Sequence, residues 1–266
     1  MKKYFAFYLL LILFFSSSFK VEAQYIAVMG ALEQEIDLLL GEMEKQKKIQ
    51  IGGIDFYKGK INGKKVVVLK AGVGKVNASY STAVLTQNFG IDALIFTGVA
   101  GGLHPESLPG DIIIGDRLFQ HDFGKFDQEG FEVTTYRELT GAHQTDLFIP
   151  SDSILVFKSK QAAQQVAFNA LSGRNPNVFT GLIATGDMFV SSPEKAQWLF
   201  GEYGALAAEM EGAAVGHICR TLDIPFVVIR SCSDNANHDA RVNFEQFVGP
   251  ASINSSRLVL SILEDW

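Results

Sequence analysis

Seven short apolar runs, separated by helix-length amphipathic stretches, constrain this chain more than any single motif does. They are 25–30 (YIAVMG), 55–61 (DFYKGKI), 64–72 (KKVVVLKAG), 92–100 (DALIFTGVA), 111–116 (DIIIGD), 177–186 (NVFTGLIATG) and 224–234 (IPFVVIRSCSD). Most are too uniformly apolar to leave one face in water, so they predict strands of a sheet covered on both sides. Helices are expected near 32–47, 75–89, 151–172, 193–200, 209–222 and 244–264. The alternation predicts the α/β class: three layers, α/β/α, around a central twisted sheet. Asn62-Gly63 lies between the second and third runs and signals a two-residue hairpin, which makes the sheet mixed.

Four runs lead into glycine or small polar residues: Gly30-Ala31, Gly72-Val73-Gly74, Gly98-Val99-Ala100-Gly101-Gly102 and Thr185-Gly186-Asp187. Open α/β sheets bind ligands beyond the carboxyl ends of their strands, and glycine there lets a ligand approach the backbone. A small-molecule crevice follows, although tight strand-to-helix turns also use glycine. Gly72-Val73-Gly74-Lys75 lacks the spacing and terminal Ser/Thr of a phosphate-binding loop, and no G-x-G-x-x-G follows the first run. Both features argue against dinucleotide and nucleoside-triphosphate chemistry.

A length of 266 residues, 47% hydrophobic, suits one large domain over 24–266. The formal charge of −6 is spread along the chain without a basic block, which argues against nucleic acid and anionic membrane surfaces as partners. Residues 1–23 read as a signal peptide: Lys2 and Lys3, an apolar run, then Val21-Glu22-Ala23. Cleavage near Ala23 predicts an exported domain, periplasmic or secreted, with no stable membrane contact. The alternative is a retained anchor, for which the run is short and is interrupted at Ser16–Ser18. Cys219 and Cys232 both fall in apolar segments and read as buried thiols, although export permits a disulfide.

Three acids fall at strand-helix junctions. On a helix over 209–222, Glu211 aligns with the apolar stripe of Ala214, Val215, Ile218 and Leu222, whereas Glu209 points to a freer face and supports the turn or meets solvent. An inward carboxylate needs protein donors or a ligand; a first-turn acid favoured by the helix dipole is the alternative. Asp234 ends the last apolar run beside Ser233, a position that also suits an N-cap. Glu35 sits at the edge of the first helix, facing either a cleft or water. One crevice could gather all three, and paired carboxylates suit glycosidic hydrolysis, one as acid to the leaving group and one as base to water.

The blocks GALEQEI, KAGVGKVNAS, TGVAGGL, ATGDMFV, AAEMEGAAVGHIC and PFVVIRSCSD, with NFEQF downstream, resemble the 5′-methylthioadenosine/S-adenosylhomocysteine nucleosidases of the purine nucleoside phosphorylase superfamily, over roughly residues 25–264. The resemblance implies a nucleoside phosphorylase-like fold, a purine nucleoside as small-molecule partner, adenine release and a homodimer. It implies Glu35 as base to water, Asp234 as acid to purine N7 supported by Ser233, and Glu211 on the ribose hydroxyls with Met210 packed on the sugar. It further places Phe189 and Val190 on the purine, Ala100 and Gly101 on the ribosyl side, and Leu32 and Val73 as an apolar wall. Phe244 then forms the 5′ pocket, and Arg230 lies near the water and base. No cofactor is implied, and His104, His121, His143, His217 and His238 show no metal-ligand spacing.

Two features depart from the family pattern: the signal sequence, and the segment 121–152, which lies in the family near the partner subunit. Two rival readings also remain, a phosphate-dependent phosphorylase of the same fold and an exported nucleoside-binding protein without catalysis.

Overall fold

The computed structural model describes residues 25–136, 147–171, 173–237 and 239–266; the predicted signal peptide and the 137–146 part of the divergent segment lie outside them. The elements run β1 (Tyr25–Gly30), α1 (Asp37–Gly41), β2 (Glu44–Ile51), β3 (Ile54–Ile61), β4 (Lys64–Lys70), α2 (Lys75–Asn88), β5 (Ile91–Gly102) and β6 (Ile112–Gln120). Next come β7 (Gly124–Asp127), β8 (Gly130–Val133), β9 (Ile149–Pro150), α3 (Ser153–Ala163), β10 (Val178–Thr185), α4 (Pro193–Tyr203) and β11 (Ala205–Glu209). The described chain ends with α5 (Gly212–Thr221), β12 (Phe226–Asp234) and α6 (Ala240–Glu264).

All seven apolar runs are strands, and they join in one mixed ten-stranded sheet ordered β11-β10-β6-β12-β5-β1-β4-β3-β2, with β9 on β6. Successive side chains of a strand face opposite ways, so each strand feeds two cores. In β1, Ala27 and Met29 join the layer containing Ala78 and Leu85 of α2 and Ala213, Val215 and Cys219 of α5. Ile26 and Val28 join Leu39 of α1, Leu155 of α3 and Leu258 and Ile262 of α6. The expected three layers are therefore present. Asn62 and Gly63 both take positive φ, 50° and 76°, as the primed hairpin turn between β3 and β4 demands.

The far half of the sheet curls. Beyond its pairing with β1 and β12, the end of the long β5 also pairs antiparallel with β11, Gly101 opposite Ala208 and Gly102 opposite Ala207. The circuit β5-β12-β6-β10-β11 thus closes on itself. Small residues at this seam let the two backbones meet.

Three expected elements differ, the first being the helix expected over 151–172, which runs only over Ser153–Ala163 as α3. The helix expected over 32–47 is reduced to the five residues of α1, because residues 31–36 turn around the carboxylate of Glu35 and 44–51 extend as β2 along β3. The helix expected from 209 starts at Gly212, because 205–209 extends as β11 between β10 and β5.

Candidate active site

The ends of β1, β4, β10, β11 and β12 and the last third of β5 surround one cavity of about 150 Å³. Leu32, Glu35, Val73, Ala100, Gly101, Phe189, Val190, Met210, Glu211, Ser233, Asp234 and Phe244 all line it. Ala31, Val99, Met188, Ala208 and Glu209, which sequence reasoning did not assign to the site, line it too. Arg230 does not line the cavity; it lies beneath it, 1% exposed.

Glu35 is held from three sides by backbone amides. Ala31 and Leu32 N–H donate to Oε2 at 2.6 and 2.9 Å, and Val99 N–H donates to Oε1 at 2.9 Å. Ser256 Oγ of α6 donates to its carbonyl at 3.0 Å. Glu35 is buried, so it is not the solvated helix edge that the sequence left open. Burial raises its pKa above the ordinary glutamate value, outweighing the nearby Arg230 charge and the three amides. Gly98 makes this seat possible: a Cβ there would stand 2.4 Å from Glu35 Oε1 and 3.0 Å from Arg230 Nη1, and its φ of 157° already disfavours a side chain.

Asp234 ends β12 rather than capping a helix, since α6 begins six residues later behind Asp239. The pairing of β12 with β5 slips between Cys232 and Asp234, leaving Ser233 as an extra residue. Such a bulge breaks strand alternation, and here both Ser233 and Asp234 reach the cavity. Ser233 Oγ donates to Asp234 Oδ2 and Ala236 N–H to Oδ1, both at 2.8 Å. Burial raises the Asp234 pKa despite these two donors, which favours a proton on the carboxyl group.

Glu211 occupies the N-cap position of α5 without capping it. Its Oε1 instead accepts from Gly74 N–H of the glycine loop after β4, at 2.7 Å. Burial first, then the charge of Glu209, push its pKa up to about 8. Glu209 corrects the sequence expectation most sharply. It is 6% exposed rather than free, and it supplies the cap that Glu211 does not: Gly212 N–H donates to Oε1 at 3.0 Å and to Oε2 at 2.8 Å. Thr185 Oγ1 also donates to Glu209, and Arg230 Nη2 reaches its Oε2 at 2.5 Å. The error was one of phase, because a helix drawn from 209 turned a strand residue outward. The signal that could have found it was Arg230, an arginine inside an apolar strand that requires a buried anion.

Arg230 also stacks over Phe96, its guanidinium 4.3 Å from the ring centroid. The opposite wall is aromatic: Phe189, 46% exposed, meets Phe244 edge to face with centroids 5.8 Å apart. The cavity thus sets an aromatic and apolar wall against Glu35, Glu209, Glu211 and Asp234. Among the described residues, no arginine or lysine lines it. Cys219 and Cys232 are buried and free.

Comparison with known proteins agrees with this architecture. Residues 25–264 match the family model described as the Phosphorylase superfamily. The 5′-methylthioadenosine/S-adenosylhomocysteine nucleosidases of Shewanella pealeana and Mycobacterium tuberculosis are each 37% identical to this chain over 90% of its length, covering 98% and 96% of their own. The nucleosidase of Neisseria meningitidis, solved in complex with methylthio-immucillin-A, is 36% identical with a TM-score of 0.79, over 91% of this chain and all of that one. That of Colwellia psychrerythraea, solved with adenine, is 32% identical with a TM-score of 0.78, over 91% of this chain and 96% of that one. A futalosine hydrolase mutant of Helicobacter pylori is 28% identical with a TM-score of 0.76, over 91% of this chain and all of that one. The fold and the site therefore define a member of the phosphorylase superfamily. Within it, the chain belongs to the 5′-methylthioadenosine/S-adenosylhomocysteine nucleosidase family.

Proposed function

We propose that this protein hydrolyses the N-glycosidic bond of an adenine nucleoside of the 5′-methylthioadenosine/S-adenosylhomocysteine type, releasing adenine and the free sugar. The observation that carries this reading is a single cavity that joins a buried, proton-favouring Asp234 to an amide-held Glu35 and an uncapped Glu211. Asp234 gives a proton to N7 of the base, so the bond from N9 to C1′ breaks toward neutral adenine. Water adds to C1′ and loses a proton to Glu35, while Glu211 holds the ribose hydroxyls as positive charge develops on the sugar. Phe189 stacks on the purine, Met210 packs on the sugar, and Leu32, Val73 and Phe244 make an apolar seat for the 5′ thioether. Arg230 acts through Glu209 and Glu211 rather than on the substrate.

Phosphorolysis is disfavoured, because a phosphate dianion would enter a cavity lined, among the described residues, by four carboxylates and no cationic side chain. Adenine release in phosphate-free buffer is expected; a strict need for added phosphate would overturn the reading. Glu35→Gln and Asp234→Asn should each lower turnover by about two orders of magnitude or more. Near-normal rates in both would leave only a binding protein.

The family resemblance supports a homodimer. Val73 at the cavity mouth continues onto α2 with Val76 and Tyr80, which are 46%, 79% and 52% exposed. Val76 and Tyr80, four positions apart, share one face of α2, and with Val73 they leave exposed apolar surface that a second copy would cover. A sedimentation mass of a single chain would overturn this. Export of the domain is supported by the leader-like residues 1–23, which lie outside the family match starting at residue 25. An intact Met1 on protein from the native host would refute signal cleavage.

A further inference from the structure

Beside the catalytic carboxylates lies a ring of charged groups that the reaction does not use. Lys75 N–H, at the start of α2, donates to Asp187 Oδ1 at 2.7 Å. Asp187 N–H, just after β10, donates to Asp122 Oδ2 at 2.7 Å. Lys75 Nζ closes the ring on Asp122 Oδ1 at 2.6 Å and also reaches Gln120 Oε1 at 3.3 Å. Three chain segments are thereby tied together: the glycine loop leading into α2, the end of β6 and the exit of β10. The Lys75 and Asp122 side chains are only 17% and 15% exposed, so this ion pair is better shielded from solvent than an ordinary surface pair.

The ring sits at the root of both substrate-facing loops. One residue before Lys75, Gly74 N–H holds Glu211 Oε1. Two residues after Asp187, Phe189 presents its half-exposed ring to the cavity. The junction leaves no slack: a Cβ on Gly186 would lie 2.4 Å from the buried ring of His121, and one on Gly74 would lie 3.1 Å from Asp187 Oδ1. Phe189 itself makes an edge-to-face contact with Phe244 and otherwise depends on the path of the loop that carries it.

We propose that Lys75 is a positioning residue for substrate affinity, its ammonium and amide locking the loop of Phe189 to the loop that holds Glu211. The proposal rests on the purine stacking on Phe189. It predicts a loss in binding rather than in the chemical step, because Lys75 touches neither Asp234 nor Glu35.

The test measures KM and kcat for methylthioadenosine and, separately, the Kd of adenine by calorimetry. Lys75→Met should raise KM and the adenine Kd together by about tenfold, the scale of one lost charged hydrogen bond, while kcat falls by less than about threefold. Lys75→Arg, which keeps the cation, should recover most of the loss. KM and adenine Kd within twofold of the wild type in Lys75→Met would overturn the proposal, as would a fall in kcat at unchanged KM. If Lys75→Met does not accumulate as folded protein, Asp122→Ala removes both acceptors of the same ring from its other side and carries the same expectation and the same refutation. Wild-type turnover is the control that separates the two ideas. Without it the nucleosidase reading fails, whereas the adenine titration still reports on the ring.

Discussion

Glu209 and Glu211 stand two positions apart, and the structure gives them opposite tasks. Glu209 spends its lone pairs on protein donors: Thr185, Arg230 and the first amides of α5. Glu211 takes one backbone amide, from Gly74, and a long ion pair to Arg230 Nη2 at 3.9 Å, and otherwise faces the cavity. An inward acid left so lightly satisfied is costly unless a ligand completes it, and ribose hydroxyls are donors of the right kind. Glycine serves the site in a similarly specific way at position 98. Adding a methyl group there would drive Glu35 off the amide of Val99. Gly98→Ala should therefore lower kcat by about a hundredfold, the scale of a displaced general base, while adenine, bound by the opposite wall, keeps its affinity. Steady-state rates beside an adenine titration decide it. A Gly98→Ala enzyme with kcat within threefold of the wild type would show that Glu35 has room to move and still work.

At the scale of elements, hydrophobicity revealed the strands built of large apolar residues and missed those built of charged or small ones. β2, EKQKKIQI, is an edge strand whose lysines meet water, so it carries no apolar run, and charge on an edge is how sheets avoid pairing with strangers. β11, ALAAE, is built from small residues because β5 approaches it at Gly101 and Gly102. Alanine reads as helix by propensity, so 205–209 gave no strand signal and the helix after it was drawn from too early a residue. That single boundary explains the misreading of Glu209. The substrate side of the cavity was more legible, because glycines at strand ends mark a close approach wherever they fall. What no local pattern carried was the curl of the sheet, which depends on a pairing between residues more than a hundred positions apart. The bulge at Ser233 was equally silent, since an extra residue in one strand shows only against its partner.

At the scale of the molecule, the buried carboxylates tie stability to pH in a direction opposite to ordinary acid denaturation. A carboxyl group whose pKa is raised on folding stabilises the fold fully below its unfolded pKa, and this contribution is lost as pH rises through the folded value. Glu35, Glu211 and Asp234 all have that sign, and for Glu211 the window runs from 4.5 to about 8. His121 has the opposite effect: burial lowers its pKa from 6.5 to about 4, so between those values stability gains as pH rises. The two trends offset each other below pH 6.5. From 6.5 to 8 Glu211 acts largely without that offset, and losing its proton should cost the ligand-free protein about 2 kcal/mol, or roughly 5 °C in Tm. Glu211→Gln keeps an acceptor for Gly74 N–H but has no proton to lose, so its melting temperature should stay nearly level over the same interval. Calorimetric scans of both proteins at pH 6.5, 7.2 and 8.0 without ligand make the comparison. An equal fall in both would place the titrating group elsewhere and remove the argument that Glu211 is held short of donors until a nucleoside arrives.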